Sequence, residues 1–272
     1  MSQLIPTIST AELEELKQAR EILENPGLAA QLANVVGAPM EYVLARRLPA
    51  SVTRLINTAT RKSLEQSLRV ATATLRRSGI HAPARTRTHT WMAAATGAAG
   101  GAFGLAGLAL ELPVTTTMIL RSIADIARSR GEDLDDPVAT LACFEVLTMG
   151  GRSASDDGAE SGYFAARAVV AQQVAAAAEY IAVHGVVNNS GPAIVQLLAA
   201  IGGRFSVTVS QKVAAQAVPV IGAISGATLN TLFMRHFQQM AQGHFAIRGL
   251  ERRHGAAAVQ EAYDALAGPV AG

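Results

Sequence analysis

The sequence predicts an all-α protein, folded as a single compact multi-helix bundle. Apolar residues make up 50% of the 272 positions and charged residues only 16%, which is typical of a deeply buried or membrane-contacting chain. Aromatic residues contribute 4%, and the β-branched and aromatic runs that favour strands are scarce. Because alanine is abundant, we expect close packing through Gly/Ala-rich central helical hairpins. The predicted organisation is an N-terminal part, residues 1–90, continuous with a helical core, residues 91–272.

The N-terminal part opens with a capped helix. Ser9 and Glu12 have the spacing of a capping box, and apolar residues follow at helical spacing up to Leu23. Residues 25–27, Asn-Pro-Gly, end this helix, and a second apolar segment is expected at residues 28–36. The first twenty residues lack the basic region and apolar run of a signal peptide, so we expect none there.

Residues 46–87 form a strongly basic segment, with ten Lys or Arg residues against one acidic residue, Glu65. Several of these cations recur every seven residues, so one helix would carry them as a stripe. Apolar residues fill another face, which predicts a basic amphipathic helix. The predicted stripe consists of Arg47, Arg54, Arg61, Lys62, Arg69 and Arg76.

Four interpretations of the basic segment stay open. It can bind anionic lipid headgroups while its apolar face dips into the membrane interface, or it can bind the acidic groove of a protein partner. Nucleic acid would use the same charge, but no helix-turn-helix, zinc or base-stacking motif accompanies it. The fourth interpretation is a solvated surface on a helix whose apolar side joins the core.

Three long uncharged runs follow, at residues 91–110, 180–203 and 213–234. The first has the length of a membrane span, about 30 Å as a helix, and begins with Trp91, a residue typical of membrane interfaces. Its Gly and Ala residues offer little apolar area, so we expect a buried central helix that packs against the third run. Residues 188–192 are expected to split the second run. Pro113 is expected to break the chain and to start a second helix, residues 114–128.

Polar residues among these apolar segments form a predicted polar centre. Arg121 and Asp125 are four apart, so they can pair on one helical face. Buried carboxylates of this kind either form ion pairs that fix the helix register or have the shifted pKa values that acid–base catalysis needs. The predicted centre comprises Glu111, Arg121, Asp125, Asn230, Arg248 and Glu251.

No metal site, cofactor or catalytic residue is predicted. The histidines lack the paired spacing of a helical metal site, and the acidic turn at residues 132–136 lacks the pattern of a calcium-binding loop. Asp136 before Pro137 instead predicts the cap of a helix over residues 137–149. Residues 150–158 are expected to form a surface loop. Cys143 is the single cysteine, which indicates a reducing compartment and an inert core thiol.

Two blocks of sequence resemble the EcsC family of bacterial proteins. The first, residues 100–131, combines a glycine-rich apolar run, Glu-Leu-Pro and Leu-Arg-Ser-Ile-Ala-Asp-Ile-Ala. The second includes Lys212-Val213, Val-Pro-Val-Ile-Gly-Ala at 218–223, Asn230, and Leu-Glu-Arg at 250–252. The resemblance implies a helical protein without accepted catalytic residues. The family's namesake is encoded beside an ABC-type transporter, which makes a membrane transporter or another protein an additional expected partner.

Together these features predict a non-enzymatic cytoplasmic protein that associates peripherally with the inner face of the cell membrane. Its expected partner is an anionic membrane surface or lipid, bound by the basic helix and the Gly/Ala-rich helices. Nucleic acid is not expected. Two alternatives stay open: a hydrolase-like enzyme with a polar centre around Glu111, Asp125 and Arg248, and an integral membrane protein with two hairpins.

Overall fold

Helices make up all the regular secondary structure in the part of the chain that the computed structural model describes, residues 8–24, 28, 31–32, 48–74, 84–101, 104–149, 162–184, 191–216 and 226–266. The all-α prediction is therefore confirmed. Of the predicted segment 28–36, only residues 28, 31 and 32 are described. The whole of the predicted loop 150–158 lies outside the described residues. In chain order the helices are α1 (Thr10–Glu24), α2 (Ala50–Thr74), α3 (Thr86–Gly101), α4 (Gly104–Ser129), α5 (Pro137–Glu145) with the 3-10 turn Val146–Thr148, α6 (Gly162–His184), α7 (Pro192–Gln216), α8 (Gly226–His254) and α9 (Ala256–Ala265).

Local caps fix the start of two helices. The Glu12 carboxylate accepts hydrogen bonds from the Ser9 backbone N–H at 3.0 Å and from the Ser9 hydroxyl at 2.8 Å. The Asp136 carboxylate accepts one from the Val138 backbone N–H at 2.9 Å, with Pro137 as the first residue of α5. Such caps satisfy groups that the helix end leaves without an internal partner. Both predicted helix starts are confirmed.

The central element is α8, which packs against α1, α3, α4 and α9. Apolar side chains are buried along its whole length, from Leu229 to Leu250. Phe233 and Phe237 meet edge to face with ring centroids 5.2 Å apart, and Phe205 of α7 contacts both rings. The sequence predicts that the runs 91–110 and 213–234 lie at the centre of the fold. Of the central helix α8, only residues 226–234 belong to the run 213–234, and the rest of the helix follows that run.

The uncharged run 91–110 is not a single helix, contrary to the prediction. The helix α3 ends at Gly101 and α4 begins at Gly104, so the run is divided between two helices that pack against each other. Glycine is a poor helix former, which favours a division at this place. Trp91, at the start of the run, is 78% exposed, whereas Ala93 is buried.

Pro113 lies inside α4, so the predicted helix break at this residue is wrong. A proline inside a helix removes one backbone hydrogen bond at a cost of about 3 kcal/mol. Here α4 is held on several sides by α2, α3 and α8, and Leu112 and Ile119 are fully buried on either side of the proline. Tertiary packing therefore keeps the helix continuous where the local sequence disfavours it.

Among the described helices, α7 alone is both long and apolar enough to cross a membrane by length and composition, with a mean hydropathy of 1.5 over its most apolar 18 residues. It begins at Pro192, whereas α6 ends at His184. Residues 188–190 of the predicted split lie outside the described residues.

Candidate functional site

Residues 50–74 of the basic segment form α2, and the described cations of this helix lie on the protein surface. Arg54, Arg61 and Lys62 are exposed. Glu65, the one acidic residue of this helix, accepts a 2.9 Å hydrogen bond from Arg61. We call Arg54, Arg61 and Lys62 the α2 face. The other members of the predicted stripe lie outside the described residues, in part or whole: Arg47, Arg76 and the side chain of Arg69.

The opposite side of α2 is part of the core. Ile56, Leu64 and Leu68 are fully buried, and the helix packs against α4 and α7. Ser67 and Thr117 of α4 share a 3.1 Å hydrogen bond between their hydroxyls. The expectation that this apolar side dips into a membrane interface is wrong for the folded chain, because the side chains concerned are already buried in protein.

A second exposed surface lies at the start of α3. Trp91 and Met92 are 78% and 44% exposed, and Arg85 and Arg87 nearby in the chain are exposed as well. Trp91 is the only tryptophan of the protein. Large apolar side chains next to cations are typical of residues that contact the headgroup region of a membrane.

Glu111 of the predicted polar centre forms a buried ion pair. Its carboxylate accepts a 2.6 Å hydrogen bond from Nζ of Lys212 on α7, whose side chain is 0% exposed. The same ammonium group lies 5.3 Å from the centroid of the Phe233 ring. Burial lowers the pKa of Lys212, and the charge of Glu111 opposes that shift. The pair joins α4 to α7 inside the apolar core.

Asp125 pairs with residues other than the predicted Arg121. Its carboxylate oxygens lie 2.9 Å from Nε2 of His89 on α3 and 2.9 Å from Nη2 of Arg128. Burial raises the pKa of Asp125, but the hydrogen bond from His89 and the charge of Arg128 outweigh it and leave the pKa below its usual value. Arg121 is exposed. Asp125 therefore ties α3 to α4.

Asn230 lies at a close contact between α3 and α8. Its side-chain amide donates a 3.1 Å hydrogen bond to the Ala93 carbonyl of α3. A Cβ atom at Gly97 would lie 2.3 Å from the Gly226 carbonyl oxygen and 2.8 Å from the Asn230 Cβ. The backbone of α3 can approach α8 this closely only because residue 97 has no side chain.

Arg248 and Glu251 each form ion pairs with residues outside α8. Arg248 donates two hydrogen bonds to Glu132, at 3.0 and 3.3 Å, and Arg252 donates to the same carboxylate. Glu251 accepts two from Arg167 of α6, at 2.6 and 3.1 Å. Two hydrogen bonds between one Arg and one carboxylate fix the geometry of the pair in addition to neutralising its charges. These pairs therefore set the position of α8 against α6 and against the turn at residues 132–136.

Close to these pairs lies an enclosed group that we call the polar cluster. The Tyr163 hydroxyl is 3.0 Å from Nδ1 of His244, and Nε2 of His244 is 3.7 Å from Oε2 of Glu145. Burial raises the pKa of Glu145 and lowers the pKa of His244 well below its usual value. Burial thus disfavours the charged form of each group. The cluster comprises Glu145, Tyr163, Arg167, His244, Arg248 and Glu251.

In a comparison with protein-family models, residues 10–250 match the EcsC protein family. The chain belongs to the EcsC protein family. The match includes α2, which lies outside the two blocks that carry the resemblance in the sequence. No curated protein and no solved structure matches this EcsC protein.

Within this EcsC protein the predicted polar centre is divided. Glu111 and Asp125 are fourteen residues apart on α4, about 21 Å along a helix, and each has its own ion pair. Arg248 and Glu251, in contrast, lie within electrostatic range of the same buried carboxyl group, Glu145. The structure thus brings two of the six predicted residues together at the polar cluster.

Several buried polar residues were not assigned to the polar centre by sequence reasoning. Lys212 is the one charged residue between positions 205 and 234. Because a buried charge needs a partner, such an isolated lysine is a usable signal. Glu145 is an equally isolated acid in the apolar stretch Leu-Ala-Cys-Phe-Glu-Val-Leu. Tyr163, Arg167 and His244 carry no comparable signal, because their partners come from other helices.

No metal site is found in the described ranges, where His, Cys, Asp and Glu side chains do not gather in groups of three or more that could hold an ion. Cys143 is a buried free thiol. Burial raises its pKa, so the thiol form persists at neutral pH.

Proposed function

We propose that this EcsC protein binds the anionic surface of a membrane peripherally, from the cytoplasmic side, with the α2 face against lipid headgroups. The supporting observation is the outward position of Arg54, Arg61 and Lys62 on a helix with one acidic residue. Each cation near an anionic membrane contributes about 1 kcal/mol. Because Glu65 pairs with Arg61, the net charge of the α2 face with its acid is two, which provides about 2 kcal/mol at low salt. The binding is therefore weak and reversible, and salt screens it.

Trp91 and Met92 provide an apolar contribution to the same binding. They lie on α3, and both α2 and α3 pack against α4. An indole ring at the headgroup level gains from its amphipathic character. The one tryptophan also provides a direct signal, because all tryptophan fluorescence of the protein comes from residue 91.

Sedimentation with lipid vesicles tests this proposal. We expect the protein to bind vesicles of phosphatidylglycerol and phosphatidylcholine at low salt, to be released by about 0.5 M salt because the charges are screened, and not to bind pure phosphatidylcholine. Charge reversal by Arg54→Glu with Lys62→Glu is expected to reduce binding at least about tenfold, since two attractions become repulsions. Trp91 emission is expected to shift to the blue on binding.

The matched control reverses two exposed cations far from α2 in the sequence, Lys17→Glu with Arg235→Glu, and so changes the net charge equally. This control is expected to keep most of the binding. Equal losses in the two double variants would reduce the effect to net charge and contradict a specific role of the α2 face. If the wild-type protein does not bind phosphatidylglycerol-containing vesicles at low salt, the proposal is overturned altogether.

An enzyme is the second candidate, because Oε2 of Glu145 and Nε2 of His244 have no hydrogen-bond partner among the described residues. Both residues are at most 7% exposed, so a substrate would reach them only after the helices separate. This enclosure counts against the enzyme. A His244→Gln variant that keeps its fold and its vesicle binding but loses a measured ester hydrolysis would support the enzyme instead.

A further inference from the structure

Helices α6 and α7 expose a surface that is almost free of charge. They pack against each other. Of residues 168–183 and 192–207, all of which the structure describes, Glu179 is the one charged residue at an exposed position, and Arg204 is half-buried. The remaining exposed positions are mostly Val and Ala. We call this surface the α6–α7 face, and its exposed valines are Val169, Val183, Val195 and Val207, at 53%, 72%, 52% and 42% exposure.

The composition of α7 does not match its burial. A helix as apolar as α7 is usually a core helix and mostly buried, yet only 39% of its most apolar 18 residues are buried in this fold. Soluble surfaces normally carry about 25–35% charged residues. An exposed surface with this composition is typical of a site that binds another apolar phase or partner.

The helices that carry the α6–α7 face and the basic α2 face are neighbours in the fold. The helix α7 packs against both α6 and α2, and a Cβ at Gly202 of α7 would lie 3.5 Å from Cδ1 of Leu64 of α2. An uncharged apolar surface and a cationic one therefore belong to neighbouring helices. This pairing is complementary to an anionic bilayer, in which headgroup phosphates lie next to acyl chains.

We propose that the α6–α7 face enters the membrane interface while the α2 face holds the headgroups. The occupant of the face is thus an anionic lipid bilayer, and this inference rests on the proposed function. Valine and alanine side chains are short, so the face reaches only the boundary between headgroups and acyl chains. Charge attracts the protein to the membrane, and the α6–α7 face determines how long it stays there.

Paired valine substitutions test the inference. Val195→Glu with Val207→Glu places two carboxylates on the face, and both positions are exposed, so the fold and the Tm are expected to stay close to wild type. Binding to phosphatidylglycerol vesicles is expected to fall at least about tenfold, because these charges would have to enter the interface. The control is Val138→Glu with Val114→Glu, which changes the charge equally at exposed valines on α5 and α4.

The outcomes separate this inference from the proposed function. If wild-type protein does not bind the vesicles, both fail. If Arg54→Glu with Lys62→Glu abolishes binding while Val195→Glu with Val207→Glu binds like its control, the α6–α7 inference is wrong and the role of the α2 face stands. If the lipid-free protein dimerises and the Val195 and Val207 substitutions abolish the dimer but not vesicle binding, the occupant is a second copy, and the inference is overturned.

A labelled variant gives a second measurement that does not depend on affinity. Val195→Cys can be labelled with the environment-sensitive fluorophore NBD, because the native Cys143 is buried. On vesicle binding we expect a blue shift of its emission and stronger quenching by nitroxides on acyl chains than by aqueous iodide. The same label at Val138→Cys is expected to stay accessible to iodide. An aqueous spectrum at position 195 in the bound protein would contradict insertion of this face.

Discussion

Gly97 and Gly203 both lie inside helices, but they have opposite surroundings. A Cβ at Gly97 would lie 2.3 Å from the Gly226 carbonyl oxygen, whereas a Cβ at Gly203 would meet nothing within 4 Å. We expect Gly97→Ala to lower the free energy of unfolding by about 1–3 kcal/mol through overpacking. Gly203→Ala is expected to raise it by up to about 1 kcal/mol through helix propensity. Urea unfolding of the two variants measures both, and a loss of stability in Gly203→Ala as large as in Gly97→Ala would contradict the close contact.

The sequence contains only part of this information. The spacing of Gly97 and Gly101 indicates that some backbone approaches α3 closely. It does not say that the approaching group is the start of α8, since that contact joins residues more than one hundred positions apart. Asn230 shows the same limit, because its polar side chain is visible in the sequence whereas its acceptor, the Ala93 carbonyl, is not.

At the scale of the helices, the sequence correctly predicted those features that depend only on residues close together in the chain. The caps at Ser9 and Asp136 satisfy backbone groups within three residues, and both were predicted correctly. Pro113 shows the opposite case, because its cost is local but the packing that offsets it comes from α2, α3 and α8. The position of a proline or the extent of an uncharged run therefore predicts where a helix ends only when tertiary packing does not offset the local preference.

The buried ion pair of Glu111 and Lys212 joins α4 to α7, and its contribution to stability can be predicted. Lys212→Met leaves a carboxylate in the core without its counter-charge, and we expect a loss of about 3–5 kcal/mol in the free energy of unfolding. Adding Glu111→Gln removes that charge and is expected to restore part of the loss. The control, Lys62→Met, changes an exposed lysine and is expected to shift stability by less than about 0.5 kcal/mol.

Urea unfolding by circular dichroism measures this series. If Lys212→Met were no less stable than Lys62→Met, the pair would not contribute to the position of α7 against α4. If the double variant were less stable than Lys212→Met alone, the uncompensated carboxylate would not be the cause of the loss.

For the whole molecule, the sequence predicted the class of fold better than the arrangement of its polar residues. Composition and periodicity predicted helices, because they depend on which side chains are apolar. The polar centre depends on which helices meet, and α8 brings Arg248 and Glu251 to Glu145 while Glu111 remains with Lys212. Arg54, Arg61 and Lys62 are exposed, as the helical period of the basic stripe predicts; the rest of the stripe stays a prediction.

The stability of the whole molecule is also expected to depend on pH through buried histidines. His236 on α8 is 0% exposed, and burial lowers its pKa to about 4 from the ordinary 6.5, although the Met149 backbone opposes the shift. Between these two pH values the unfolded chain binds a proton that the folded chain does not. The free energy of unfolding therefore falls as the pH falls. His244 acts in the same direction, whereas Glu145, with its raised pKa, acts in the opposite one.

Comparison with a variant isolates the share of His236. Between pH 7 and pH 5 its contribution to the loss is about 2 kcal/mol, from the two pKa values. His236→Gln cannot titrate, so its free energy of unfolding is expected to fall by about 2 kcal/mol less than that of wild type over the same interval. His184→Gln, at an exposed histidine, is expected to keep the wild-type dependence. Urea titrations at pH 5, 6 and 7 measure the slopes, and equal slopes for wild type and His236→Gln would mean that His236 gains its proton as readily in the folded chain as in the unfolded one.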